Sequence, residues 1–171
     1  MDMKEVKRLL QELKDKGRDE KYGQSGGRHP VRDDSTWLLS ALVFCTNPWV
    51  TLELGTAYGF STLFLAYGNQ GKIWTVEFDK KAAYAARDNF DQAGLTEDEI
   101  EVYHGDATEF LKKWDNGEID IIFFDADKSR YGEWYQLAKK HFHPGTLIVA
   151  DKVLFKCEVI DCRVEVKDFV E

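Results

Sequence analysis

Between residues 49 and 151, five short apolar runs alternate with helical stretches, and few folds accept that order. The strand-like runs are Trp49–Leu54, Lys72–Glu77, Ile100–His104, Ile119–Phe124 and Thr146–Asp151. Helical stretches lie between them at Ser61–Tyr67, Lys80–Ala93, Ala107–Trp114 and Arg130–His141. Such alternation predicts an α/β fold, a Rossmann-like, doubly wound and mainly parallel sheet with helices on both faces. Ile121-Ile122-Phe123-Phe124 and Leu147-Ile148-Val149-Ala150 are apolar throughout, the pattern of strands buried on both faces.

The flanks read differently. Residues Met1–Lys16 form an amphipathic helical pattern with Val6, Leu9, Leu10 and Leu13 on one stripe. Residues 18–33 are polar and rich in glycine, a loop expected to close over a site as a lid. Asp34 or Ser35 is placed to cap a helix over Thr36–Cys45. The β-branched tail, Glu158–Val170, predicts an antiparallel hairpin or edge strand. The 171 residues thus read as a single domain. Residues 1–46 supply N-terminal helices and the lid loop, 47–155 the core, and 156–171 a short C-terminal hairpin.

Composition narrows the function. A formal net charge of −8 makes a nucleic-acid partner unlikely, since phosphate binding needs a basic face. No apolar run reaches membrane-spanning length. Cys45, Cys157 and Cys162 lack metal-site spacing and fit a reducing cytoplasm better than a disulfide frame. The charged amino end from Asp2 onward does not read as a secretion signal.

The first strand runs into Gly55-Thr56-Ala57-Tyr58-Gly59-Phe60-Ser61, a glycine turn opening a helix. Strand, turn and helix of this kind form a nucleoside-binding corner. The spacing is G-x-x-x-G, and Ala57 stands where a dinucleotide site has the glycine that lets a pyrophosphate approach. That favours a nucleoside without a pyrophosphate, S-adenosylmethionine foremost. Glu77 follows Gly55 by 22 residues at the end of the second strand, where an acid can accept from both ribose hydroxyls.

Acids also stand at the other strand ends: Glu53, Asp106, Asp125 with Asp127, and Asp151. Ligands in open α/β sheets sit beyond the carboxyl ends of the strands. A helix cap is the plain structural alternative for any one of these acids, Asp106 above all.

Taken together, Leu52–Ser61, Glu77, Gly105-Asp106-Ala107, Phe124-Asp125-Ala126-Asp127-Lys128 with Arg130-Tyr131, and Ala150-Asp151-Lys152-Val153-Leu154 resemble the catechol and caffeoyl-CoA type O-methyltransferases, class I S-adenosylmethionine-dependent enzymes. The likeness covers roughly residues 34–155. It implies that Glu53, Gly55, Thr56, Gly59 and Ser61 belong to the cofactor site, with Glu77 on the ribose and Phe78 beside the adenine. Asp106 and Ala107 would meet the adenine edge. Asp125 would lie near the cofactor's amino group and, with Asp151, ligate a divalent metal such as Mg²⁺. Lys128 would be the general base on a small, hydroxylated, aromatic acceptor.

Two departures stand out. Lys152 occupies the position where the family's pattern has asparagine, a third metal ligand. An ammonium has only donors and cannot ligate a cation. Its charge is expected to replace the metal, pairing with Asp125 and Asp151. A neighbouring cation of either kind favours the neutral amine that Lys128 needs as a base. The tail to Glu171 is also shorter than the family's final hairpin, so part of a substrate wall or of a homodimer contact is expected to be missing. His29, His104, His141 and His143 are weaker candidates for the base. Rival readings are a methyltransferase acting on RNA or protein, and a protein that binds S-adenosylmethionine without turnover.

Overall fold

A computed structural model describes residues 8–13 and 33–153. Residues 8–13 are helical, within the predicted N-terminal helix. The remaining elements are α1 (Asp33–Thr46), β1 (Val50–Leu54), α2 (Phe60–Ala66), β2 (Lys72–Glu77), α3 (Lys80–Gln92), β3 (Ile100–His104), α4 (Ala107–Lys112), β4 (Ile119–Phe124), α5 (Tyr131–Ala138) and β5 (Phe142–Ala150). Single 3₁₀ turns, Lys128–Arg130 and Lys139–His141, flank α5. The lid loop, the C-terminal hairpin with its antiparallel edge, His29, Cys157 and Cys162 lie outside the described residues. Cys45 is a free, exposed thiol.

The strands run in the order β3-β2-β1-β4-β5, and every pairing is parallel. The order in which strands are added reverses between β1 and β4, the switch point of a doubly wound sheet. Alternating side chains divide the core. On one face Ile73, Ile121 and Phe123 pack with Val43 of α1, Leu63 of α2 and Phe90 of α3. On the other, Leu52, Leu54, Ile122 and Phe124 pack with Leu111 of α4 and Trp134 of α5. Full burial of one such side chain stabilises by about 1.5–3 kcal/mol.

Acids at the strand ends start the elements that follow. Asp79 accepts from the Ala82 N–H and caps α3. Asp106 caps α4, and Asp127 caps the 3₁₀ turn at Lys128. Each cap supplies an acceptor to an otherwise orphaned amide.

Three expectations need correction. The helix after the first loop starts at Asp33 rather than Thr36. The fifth strand starts at Phe142 rather than Thr146. Ile119 pairs with Phe142 while Ile121 pairs with Leu147, so Pro144 and Gly145 bulge out between two paired stretches. Proline lacks an amide proton for the ladder, and Gly145 takes φ +113°, so the strand's first half reads as a turn in sequence. Finally, Leu147–Ala150 is only half-buried, with Ile148 exposed, because β5 is an edge among the described residues.

Candidate active site

The turn after β1 bends through three left-handed residues, Gly55 (φ +110°), Ala57 (+47°) and Gly59 (+85°). Amides of Gly55 and Thr56 both donate to the Val76 carbonyl of β2. A Cβ on Gly55 would lie 2.3 Å from the Asp125 carbonyl oxygen, and one on Gly59 2.5 Å from the Phe90 ring. Glycine at 55 therefore lets the β1 turn press against the end of β4. Two sequence-predicted regions, the glycine turn and the Asp125 segment, meet there.

Glu53 lies beneath the turn and is fully buried. Its strand position points it toward α2, opposite Leu52 and Leu54. Ser61 donates to Oε1 at 2.5 Å, and Thr62 and Thr75 donate to Oε2 at 2.5 and 2.6 Å. Since the Thr75 hydrogen is committed to Glu53, Thr56 is the donor in the 2.6 Å Thr56–Thr75 contact. Burial raises the Glu53 carboxyl above its ordinary range, opposed by the three hydroxyls. Among the described residues, the hydrogen-bond partners of Glu53 are all internal hydroxyls. Its carboxylate, with the hydroxyls of Thr56 and Ser61, braces the turn from below.

Glu77 stands at the end of β2, as its spacing predicts. Oε2 accepts from the Ala57 amide and Oε1 from the Asp79 amide, both at 2.8 Å. Each oxygen retains a lone pair for a ligand hydroxyl. Next to it, Phe78 is 77% exposed and offers an open aromatic face. At the end of β3, Oδ1 of Asp106 accepts from the Thr108 and Glu109 amides.

Asp106 also holds Arg130, with Nη1 2.6 Å from Oδ2. Arg130 reaches further to the Thr108 hydroxyl and to Glu133, and its guanidinium lies 5.1 Å from the Trp134 ring centre. Hydrogen bonding from Arg130 holds the Asp106 carboxyl below its ordinary range. This cluster ties α4 to the 3₁₀ turn bearing Lys128. Sequence reasoning gave Arg130 no role, since its partners lie 22 and 24 residues away. Only the D-A-D-K-x-x-Y spacing signalled the segment. Tyr131 in that motif donates to the Phe124 carbonyl at 2.9 Å and so anchors the turn beneath the site. Burial raises its hydroxyl pKa well above the ordinary value.

Four charged side chains gather beyond β4 and β5. Lys128 Nζ lies 3.2 Å from Asp125 Oδ1 and donates to the Ala126 carbonyl at 3.0 Å. Lys152 Nζ lies 2.7 Å from Asp151 Oδ2. Burial pushes the Asp125 carboxyl up to about 7, against the pull of Lys128. An apolar cleft of about 160 Å³ ends at Asp151, walled by Leu38, Leu39 and Leu42 of α1 and by Phe123, Val149 and Ala150. Among the described residues, no three His, Cys, Asp or Glu side chains converge as a metal site would require.

His141 and His143 stand at the start of β5, the end of the sheet opposite these charges. His143 there pairs with Asp120 at 2.9 Å, which also accepts from the Trp49 and Val50 amides. Neither histidine can reach a group held at the strand ends. No helix among the described residues is long and apolar enough to cross a membrane.

The parallel sheet thus carries a braced glycine turn at its switch point, with a lysine-acid cluster beside it. A family model described as O-methyltransferase matches residues 4–170, and the chain belongs to that family. A catechol O-methyltransferase of Niastella koreensis is 42% identical over 115 residues, covering 64% of this chain and 52% of that protein. A caffeoyl-CoA O-methyltransferase of Populus kitakamiensis is 30% identical over 141 residues, covering 79% and 59%. The chain thus spans about half the length of the first of these relatives. An O-methyltransferase from Bacillus cereus, solved in complex with SAH, superposes with a TM-score of 0.82 at 31% identity, over 95% of this chain and 76% of that one.

Proposed function

We propose that this chain transfers a methyl group from S-adenosylmethionine to a hydroxyl of a small aromatic acceptor, with Lys128 as general base. The observation that carries this reading is the contact of Gly55 with Asp125. It brings the glycine turn directly beside the lysine-acid cluster, which supports a single site for cofactor and base.

The residues present suit the cofactor. Glu77 keeps lone pairs for ribose hydroxyls, Phe78 offers a face to the adenine, and Gly55 leaves the turn open to close approach. Bound there, S-adenosylmethionine supplies the methyl on its sulfonium. Asp125, bordering the turn, is placed to accept from the amino group of its methionine end.

The reaction needs an acceptor hydroxyl to lose its proton and its oxygen to meet the methyl in line with sulfur. Lys128, as the neutral amine, takes that proton. Transfer would form the oxygen–carbon bond as the carbon–sulfur bond breaks, leaving the electron pair on sulfur. Alignment of the two partners lowers the barrier by ~7–11 kcal/mol. A positioned base adds about 10²–10⁴-fold. The cleft ending at Asp151 fits the acceptor's ring. Its volume of about 160 Å³ is close to the ~150 Å³ apolar cavity that holds one benzene.

Labelled methyl transfer from S-adenosylmethionine to a panel of phenols and catechols tests the reading, alongside calorimetric titration with cofactor. Glu77→Ala is expected to weaken cofactor binding by ~1.5–3 kcal/mol, the range for hydrogen bonds to a charged group. Unchanged affinity in that variant would remove Glu77 from the site.

A further inference from the structure

We infer that the Lys152 ammonium, held by Asp151 beside the Lys128–Asp125 pair, is the resident cation of this site in place of a divalent metal. Only the activity arm of the test below rests on the methyl-transfer reading.

Donor chemistry comes first. Mg²⁺ takes about six oxygen ligands, commonly one or two free carboxylates with waters or substrate oxygens for the rest. Here two carboxylates stand at the ends of β4 and β5, and each already carries an ammonium. Lys152 lies on Asp151 at 2.7 Å and Lys128 on Asp125 at 3.2 Å. Phe124 and Ala150 pair in the sheet, so Asp125 and Asp151 leave neighbouring strand ends and their two ion pairs belong to one charged group. Each carboxyl group thus already has a lysine side chain as its partner without an added ion. A metal entering this group would have to displace one ammonium and bear the repulsion of both.

Backbone geometry points the same way. Lys152 adopts φ +52°, a left-handed conformation that asparagine and aspartate tolerate better than lysine. Lysine stands at a turn position shaped for a short polar side chain, and its ammonium still folds back onto Asp151. The Lys152 side chain remains 31% exposed. One N–H is spent on Asp151, leaving donors to face an acceptor oxygen as negative charge develops on it.

Calorimetric titration of Mg²⁺ into the wild-type protein and Lys152→Asn tests this without any need for turnover. Wild type is expected to show no saturable binding. Lys152→Asn, which suits the left-handed backbone and supplies an oxygen, is expected to gain a site about 10–100-fold tighter than any residual binding. Adding Asp151→Asn to that variant should abolish it. Should Lys152→Asn fail to fold, as judged by its melting transition, Lys152→Asp serves in its place. In the activity arm, chelator should leave wild-type methyl transfer unchanged. A single Mg²⁺ bound by wild type and lost in Asp151→Asn overturns the inference. So does a failure of both Lys152 variants to gain binding. Absence of methyl transfer to every acceptor would defeat the proposed function but leave the metal titration decisive for Lys152.

Discussion

The two halves of the sheet hold their functional residues by different means. Around β1 and β2 the turn is fixed by backbone amides on Val76, by the Glu77 carboxylate on Ala57, and by buried hydroxyls on Glu53. Around β4 and β5, charges hold charges, at partly exposed positions beside an edge strand. Buried, fully satisfied hydrogen bonds fix direction and are costly to break. Partly exposed ion pairs contribute little stability and are weakened by salt. The β1–β2 side is therefore built for rigidity, and the β4–β5 side for electrostatics at modest cost to the fold.

Breaking the rigid side should produce the largest effect. Gly55→Val combines a left-handed backbone with a Cβ on the Asp125 carbonyl. It is expected to destabilise by about 2–5 kcal/mol and to abolish cofactor binding, read by urea denaturation and calorimetry. Glu53→Ala strands buried hydroxyls and should cost ~1–3 kcal/mol. Glu53→Gln keeps the shape, and its amide NH₂ can donate to a rotated Ser61 hydroxyl, so its stability should lie closer to wild type than that of Glu53→Ala. Equal losses in both Glu53 variants would mean that charge, rather than the hydrogen-bond frame, supports the turn.

The charged side should respond more weakly and to pH. Arg130 holds Asp106 below its ordinary range. A lowered folded-state pKa contributes stability that is full above the unfolded value, about 4, and is lost as pH falls through the folded one. Wild type should therefore exceed Arg130→Gln in stability above about pH 4, with the two urea midpoints converging below it. A gap that persists unchanged at pH 3 would place the effect of Arg130 in its packing on Trp134 instead.

Sequence patterning captured β2, β3 and β4 to the residue, because their apolar runs are flanked by clear breaks. It missed the first half of β5, because Pro144 and Gly145 within a bulge mimic a turn. Glu77 was legible from its spacing after Gly55, whereas Lys128 was marked only by the family resemblance of its D-A-D-K segment. The inward turn of Glu53 was not, since an acid at the end of an apolar strand gives no sign of the hydroxyls that will face it. Those hydroxyls come from α2 and β2, brought together only by the tertiary fold. Arg130 escaped for the same reason.

The most direct test is the rate of methyl transfer by Lys128→Ala at saturating S-adenosylmethionine, with cofactor affinity measured on the same sample. Turnover is predicted to fall about 10²–10⁴-fold, the contribution of a positioned base, with cofactor affinity and melting temperature close to wild type. Turnover within a few-fold of wild type would contradict the assignment of Lys128 as the base.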